Sequence, residues 1–351
     1  MVVTEFFLKG VWALMLASRR HSTCIPERGA IIKSRERERR LLLVAMVLLA
    51  LFLAASSADA NFRGNNGLIA FDSWTGTSQD IGVFDPGGTG SPTFLTTTPD
   101  ISEATPRWSR DGTKIVYMVY PQSDRSVTDI WIMDADGQHK TQLTNTPRRE
   151  EVPAWTADGR IVFCGQAPDD LDDWNIYLMN ADGSGLTLLT QSPAFDCWPS
   201  PAPSGNQLAF TSDRNGIAEI FTMTLAGKGL HEVTSGLNAD CVMSDWSPSG
   251  NDIVFGCEET TGTGTDRDIW MAHRNQTKVQ RLTSTPTQRE AFPSWSPDGN
   301  LVVFGRVVTP GVFNIFSLDP DTGEEQLLLA DSPPSTYSVA YPSWQPVGPR
   351  P

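Results

Sequence analysis

The hydrophobic positions of this chain fall in short runs that are apolar on successive residues. Ile161-Val162-Phe163, Ile253-Val254-Phe255 and Ile130-Trp131-Ile132-Met133 are examples. A helix would show an apolar stripe with a 3.6-residue period, and a half-buried strand would alternate. Unbroken runs of this length predict strands covered on both faces. No stretch carries a convincing helical period, and Pro and Gly are spread throughout.

The runs recur on a longer scale. Residues 292–304 (FPSWSPDGNLVVF) read as a strand entry, a Ser-Pro-Asp-Gly turn and a β-branched strand. Proline presets φ early in the turn, Asp bonds its own backbone, and Gly299 takes φ > 0 without a Cβ clash. Copies stand at 106–117, 153–163, 199–210 and 244–255, with a truncated one at 342–346 (PSWQP). The position held by Trp falls at Trp108, Trp155, Pro201, Trp246, Trp295 and Trp344, with spacings of 47, 46, 45, 49 and 49 residues. That is the length of a propeller blade. Each repeat continues with an acidic or amide residue, Ile and an aromatic (Asp129-Ile130-Trp131, Asn175-Ile176-Tyr177, Glu219-Ile220-Phe221, Asp268-Ile269-Trp270, Asn314-Ile315-Phe316). Most repeats then close on Leu-Thr or a near match, as at Leu143-Thr144 and Leu282-Thr283.

The two ends complement one another. Residues 67–71 (GLIAF) match the second strand of a blade whose Trp-bearing first strand is missing. Residues 341–346 supply a first strand with nothing after it. The C-terminal strand is therefore expected to complete the first blade and close the ring, leaving no open sheet edge. The fold class is all-β, a six-bladed propeller of four-stranded blades.

Pro-x-Trp-Ser-Pro-Asp-Gly, Ile-Val-Phe, Asp-Ile-Trp-x-Met-x-x-Asp-Gly and Leu-Thr together resemble the TolB-type β-propeller repeat over residues 65–346. The fourth blade departs most, with Pro201 where Trp is expected and Trp198 three residues earlier. The resemblance implies architecture. It does not imply an activity, because such folds host unrelated functions.

The first sixty residues are a different polymer. A basic flank at 35–40 (RERERR), an apolar run at 41–55 and a small-x-small site at Ala58-Asp59-Ala60 have the layout of a secretory signal peptide. Fifteen apolar residues fall short of the roughly 20 needed to span a bilayer. The expected organisation is a leader over 1–60 and a propeller over 61–351, with the mature protein starting at Asn61, secreted or periplasmic, and no membrane span after cleavage. Nine of the 27 basic and five of the 41 acidic residues lie in the leader. The remainder then carries 18 basic and 36 acidic residues, a charge near −18 that argues against nucleic acid as partner. A sequon stands at Asn275-Gln276-Thr277, for use if the host glycosylates.

Four cysteines remain after the leader: Cys164, Cys197, Cys241 and Cys257. An even count in an oxidising compartment suggests disulfides, with three connectivities, against buried free thiols. Cys241 and Cys257 lie almost symmetrically about the Ser249-Gly250 turn, and Cys164 and Cys197 fall on one rim of adjacent blades. The expected pairs are 241–257 and 164–197.

Candidate chemistry is sparse. His139, His231 and His273 belong to different blades, and there is no His-Glu-x-x-His or Gly-x-Ser-x-Gly. The repeated Trp residues read as packing between blades, and the Asp-x-Asp-Gly turns as turn chemistry rather than calcium loops. Glu103, Glu150, Asp196 and Glu290 stand five residues before the Trp position, with Asp240 one further back. They begin the innermost strands and are expected to frame one mouth of the channel, beside acidic connections at Asp124, Asp169–Asp173, Asp213, Glu258, Glu259 and Asp266. The expected function is an exported, non-catalytic binding module. The partner, a protein or basic peptide, docks at this acidic face; Ca²⁺ is a second candidate ligand and a solvated rim the bland reading. The alternative is a carbohydrate-active enzyme of the same fold, a polysaccharide lyase or glycosidase acting on polysaccharide.

Overall fold

Every repeat folds into four antiparallel strands, and each strand pairs with the next in sequence. The computed structural model describes residues 64–74, 78–259, 266–273, 279–286, 288–309, 312–330 and 339–348. The leader, the start at Asn61 and the sequon lie outside these residues. Among the described residues no helix is long and apolar enough to cross a membrane.

Blade 2 is β4 (Ile101–Trp108), β5 (Lys114–Pro121), β6 (Asp129–Asp134) and β7 (Thr141–Gln142). Blade 3 is β8 (Glu150–Trp155), β9 (Ile161–Gln166), β10 (Trp174–Met179) and β11 (Thr187–Leu188), and blade 4 is β12 (Asp196–Pro201), β13 (Gln207–Ser212), β14 (Glu219–Thr224) and β15 (His231–Glu232). Blade 5 is β16 (Ala239–Trp246), β17 (Asp252–Glu259), β18 (Arg267–His273) and β19 (Val279–Arg281); blade 6 is β20 (Glu290–Trp295), β21 (Val302–Thr309), β22 (Val312–Leu318) and β23 (Glu325–Leu329). Blade 1 is composite: β24 (Val339–Val347) pairs with β1 (Asn65–Trp74), followed by β2 (Gln79–Phe84) and β3 (Thr93–Phe94). The ring of six blades closes as the complementary ends require.

Two local devices explain why the motif recurs. In the turn, Ser109 Oγ accepts the Lys114 N–H at 2.9 Å while Gly112, at φ 67°, donates to the Ser109 carbonyl. A Cβ on Gly112 would lie 2.2 Å from the Pro346 carbonyl oxygen, so the closing strand also demands glycine there. Gln345 secures that contact by donating to the Gly112 carbonyl at 2.9 Å and accepting from Leu68 N–H at 3.3 Å. In the outer half of five of the six blades, the Leu-Thr hydroxyl accepts the N–H of the motif isoleucine. Thr96, Thr144, Thr190, Thr234 and Thr283 do this for Ile81, Ile130, Ile176, Ile220 and Ile269 at 2.8–3.0 Å. The threonine thus ties the two-residue outer strand to its neighbour where the ladder runs out.

The core is six separate clusters, one at each junction between blades. Trp108 packs with Ala70, Ile81 and Ile115, Trp155 with Val116 and Ile130, and Trp246 with Ala209 and Ile220. Trp295 and Trp344 do the same for the last two junctions. The junction of blades 3 and 4, where Pro201 replaces Trp, is filled differently: Trp174, Phe210 and the Cys164–Cys197 disulfide occupy it. The second disulfide, Cys241–Cys257, joins directly opposed residues of β16 and β17. Both expected pairs are present.

Removing the closing strand Val339–Val347 exposes the inner edge of blade 1 and half the Trp344 cluster. The truncated protein is expected to lose cooperative unfolding by calorimetry, and an unchanged melting temperature would contradict a closed ring. Replacing Cys164 and Cys197 by Ala is expected to cost about 2–4 kcal/mol by denaturant titration. Thr234→Val, which orphans the Ile220 N–H, is expected to cost about 1–3 kcal/mol in the same assay.

Candidate functional site

Three residues before each Trp position, the innermost strand bulges. The ladder skips between Ala104 and Arg107, Glu151 and Ala154, Cys197 and Ser200, Val242 and Asp245, and Ala291 and Ser294. The closing strand skips likewise between Ala340 and Ser343. At each skip one non-glycine residue takes positive φ: Thr105 (53°), Val152 (51°), Trp198 (50°), Met243 (62°), Phe292 (57°) and Tyr341 (49°). Such a conformation costs on the order of 1–3 kcal/mol per residue. The surrounding blades hold it: Thr105 N–H donates to Asp72 Oδ2 at 2.8 Å, and Met243 N–H to Thr211 Oγ1 at 3.3 Å, each acceptor on the preceding blade. A bulge re-aims its side chain. Val152, Trp198 and Tyr341 line a cavity at this level, and Phe292 stacks on Tyr341 with ring centroids 3.7 Å apart.

That cavity measures about 290 Å³ and opens where the innermost strands begin. Its aromatic wall is Trp174, Phe195 and Trp198, with successive centroids 5.7 and 5.5 Å apart. Its polar side is Arg149 and Glu151. Arg149 Nη2 and Nε both reach Glu151 Oε1, at 2.6 and 2.8 Å, and the guanidinium lies 5.2 Å over the Trp174 ring. Met118 and Cys197 complete the lining, so the disulfide braces one wall. Phe195 is held from behind, its N–H donating to Asp213 Oδ1 at 2.8 Å. The cavity is lined from blades 1 to 4, and Pro201, where the repeat loses its Trp, is not among its lining residues. Sequence reasoning noticed the displaced Trp198 and missed Trp174, Phe195, Tyr341, Arg149 and Glu151.

Deeper in the channel, a smaller space of about 50 Å³ meets a polar ring. Arg107, Ser200, Asp245, Ser294 and Ser343 line it, each immediately before the Trp position. Asp245 accepts the Trp295 N–H at 2.9 Å and Ser343 the Trp108 N–H at 3.4 Å, so the ring also anchors the next blade. Burial raises the Asp245 carboxyl, against the charge of Arg107.

The five predicted acids do head their innermost strands, and each finds its partners locally. Glu290 accepts from Thr283, from Thr285 at 2.7 Å and from Arg306 Nε at 2.7 Å. Glu150 accepts from Thr146 at 2.8 Å. Asp196 takes both 2.8 and 3.0 Å bonds from Arg214 Nη2, and Asp240 accepts the Ala218 N–H at 3.0 Å. Glu103 is bonded by Thr98 and Thr96. Four of the five are buried, with Asp240 partly so. Burial raises Glu150 and Glu290 despite their threonine hydroxyls, and pushes Glu103 up to about 7. Glu103 Oε2 and Glu150 Oε2 have no hydrogen-bond partner among the described residues. The solvent-facing charge lies instead on the connections, at Asp124, Asp169, Asp170, Asp172 and Asp213. Among the described residues, no group of three or more His, Cys, Asp or Glu side chains is placed to hold a metal ion. His139 and His273 pair with Asp134 and Asp252 in blades 2 and 5, and His231 lies in blade 4.

A family model described as the TolB beta propeller domain matches residues 69–348. No curated protein matches the chain significantly by sequence. Among solved structures, TolB from Acinetobacter baumannii is 19% identical with a TM-score of 0.64, over 87% of this chain and 71% of that one. Kuenenia stuttgartiensis hydrazine synthase is 16% identical with a TM-score of 0.68, over 84% of this chain and 49% of that one. Oligogalacturonate lyase from Vibrio parahaemolyticus is 12% identical with a TM-score of 0.53, over 77% and 78%. At these identities the likeness is one of fold.

Asp72 is one of several buried carboxyls whose shifts shape the pH response. It is fully buried, and desolvation pushes its carboxyl up to about 7, against the Thr105 N–H and Gln79. Asp72 and Glu103 thus have folded-state pKa values above their unfolded ones. Their contribution to stability is present at low pH and is lost as pH rises through about 7. The melting temperature is expected to be higher at pH 5 than at pH 8. Asp72→Asn, which keeps an acceptor for Thr105, is expected to flatten the slope and raise stability at pH 8 by a few kcal/mol. A melting temperature constant between pH 5 and 8 would contradict this.

Proposed function

From the premise that this chain belongs to the TolB β-propeller domain family, we propose that it is an exported binding module without catalytic activity of its own. A protein partner or basic peptide docks at the channel mouth framed by Glu103, Glu150, Asp196, Asp240 and Glu290. The observation that carries this reading is the mouth itself, where the exposed acids of the connections stand beside a recess lined by non-repeating side chains from blades 1 to 4. Departures from a repeat that keep the fold intact are where function is expected. The buried acids shape the face through their threonine and arginine partners. The exposed acids on the connection between β9 and β10, beside Trp174, present the charge that a basic partner meets.

The residues at this face also bear on the enzyme alternative. A glycosidase needs paired carboxylates turned to one substrate. The lining of the mouth cavity holds one carboxylate, Glu151, and it is bonded to Arg149.

The reading is tested by cross-linking the purified protein to its exported-fraction partners and mapping the linked residues. Links are expected at the channel mouth, weakening as salt rises from 50 to 500 mM. Asp169→Asn, Asp170→Asn and Asp172→Asn together are expected to weaken capture by about tenfold. Partners linked only to the outer strands would refute the face. Turnover of a polysaccharide panel, lost on mouth substitution, would make the protein an enzyme.

A further inference from the structure

The mouth cavity has a chemistry of its own, separate from the acidic rim around it. Its floor and walls are aromatic and aliphatic, and its two charged groups cancel. Arg149 spends Nη2 and Nε on a single carboxylate oxygen, Glu151 Oε1. Glu151 Oε2 and Arg149 Nη1 are left without a partner among the described residues, an acceptor and a donor side by side at the edge of an aromatic wall. A cationic ligand would meet a carboxylate already neutralised. An anionic one would meet a guanidinium already neutralised and, before that, the acids at Asp169, Asp170, Asp172 and Asp213. Net neutrality selects a neutral ligand with one apolar face and hydroxyls on its edge.

A pyranose ring has that form. Its C–H face covers an aromatic ring, and adjacent hydroxyls both donate and accept, matching Glu151 Oε2 and Arg149 Nη1. At about 290 Å³ the space is at the small end of the roughly 300–1,000 Å³ of small-molecule sites, enough for a single sugar residue. The wall is preorganised. Phe195 is fixed by Asp213, the Cys164–Cys197 disulfide braces Cys197, and Trp198 is held by the bulge. We propose that this cavity binds one neutral hexopyranose residue of an oligosaccharide, stacked on Trp198 with Phe195 edge-on beside it, and hydrogen-bonded by Arg149 and Glu151. The proposal rests on the reading of the channel mouth as a binding face. It names a ligand that is uncharged, where the protein partner of that reading is basic.

The experiment uses the full chain on an array of neutral hexose oligosaccharides, with tetragalacturonic acid as the acidic comparator, and calorimetry on the strongest hit. Binding of a neutral sugar is expected, unchanged within twofold between 50 and 500 mM salt. Trp198→Ala is expected to weaken it at least tenfold, and Glu151→Gln about fivefold, with the melting temperature of each checked. Should Trp198→Ala fail to fold, Phe195→Leu carries the same expectation. Absence of any neutral hit, binding of tetragalacturonic acid alone, or variants that fold and bind as wild type would each overturn the proposal. Salt sensitivity separates the two readings. A salt-sensitive protein partner that persists when the sugar fails leaves the docking face standing without the saccharide site.

Discussion

The constraint on which everything else depends is that every blade is apolar on both faces. A sheet of this kind has no surface it can leave in water, so each blade must be sandwiched between two others. Only a closed circle does this for all six, and the circle has to be locked by non-local pairing. β24 supplies the lock by joining β1, and Trp344 then fills the last of the six junction clusters. Burial of that cluster is what makes the ends of the propeller fold together rather than fray. Gly112 and Gln345 show how tightly the lock is fitted, since the turn of blade 2 touches the closing strand at main-chain distance.

Closure leaves the innermost strands crowded around an axis, and the bulges are how the chain accommodates that crowding. Each puts one side chain at φ near +50° to +60°, a conformation unfavourable for Val, Thr or Phe. Six repetitions of an unfavourable element mark it as architectural rather than as a local accident. The bulge lets the head of the strand present its side chains one way and the Trp half another. Ahead of the skip, Glu103, Glu150 and Glu290 bond threonines from the end of the preceding repeat, and Glu151, the strand neighbour of Glu150, lines the cavity. The bulge brings Val152, Trp198 and Tyr341 to the mouth, so that this face is written in non-repeating side chains on a repeating backbone.

Much of this was legible in the sequence, and the boundary is physical. The Trp position, the Gly turn and the Leu-Thr ending are determined by contacts within a blade or with the next one, and such contacts leave a periodic trace. The split first blade was legible for the same reason, as a missing piece at one end and a surplus piece at the other. Cys241 and Cys257 were legible because one hairpin sets their register. The placement of the acids at the strand heads was legible too, whereas the direction of their carboxylates was not, because a bulge shifts which residue faces inward and leaves no mark in composition. Trp174, Phe195, Trp198 and Tyr341 come from three segments, in or beside blades 3, 4 and 1. Trp198 and Tyr341 share one repeat position, but no spacing rule joins them to Trp174 and Phe195.

The junction of blades 3 and 4 shows how a repeat protein acquires a site. Five junctions use the motif Trp to fill the space between blades. In the sixth, Pro201 stands in its place and two other features appear: a disulfide across the junction and an aromatic group nearer the mouth. The disulfide compensates through the unfolded chain, whose freedom it restricts, and so restores stability without restoring volume. Pro201 itself ends β12 and lines the deeper space of about 50 Å³, so the mouth cavity is not the hole left by a missing indole. The cavity forms at the other end of that strand, where Phe195 and Trp198 meet Trp174 and Tyr341 and the disulfide braces the wall through Cys197. Loss of the motif Trp and the recess at the mouth are thus two separate departures of the same blade.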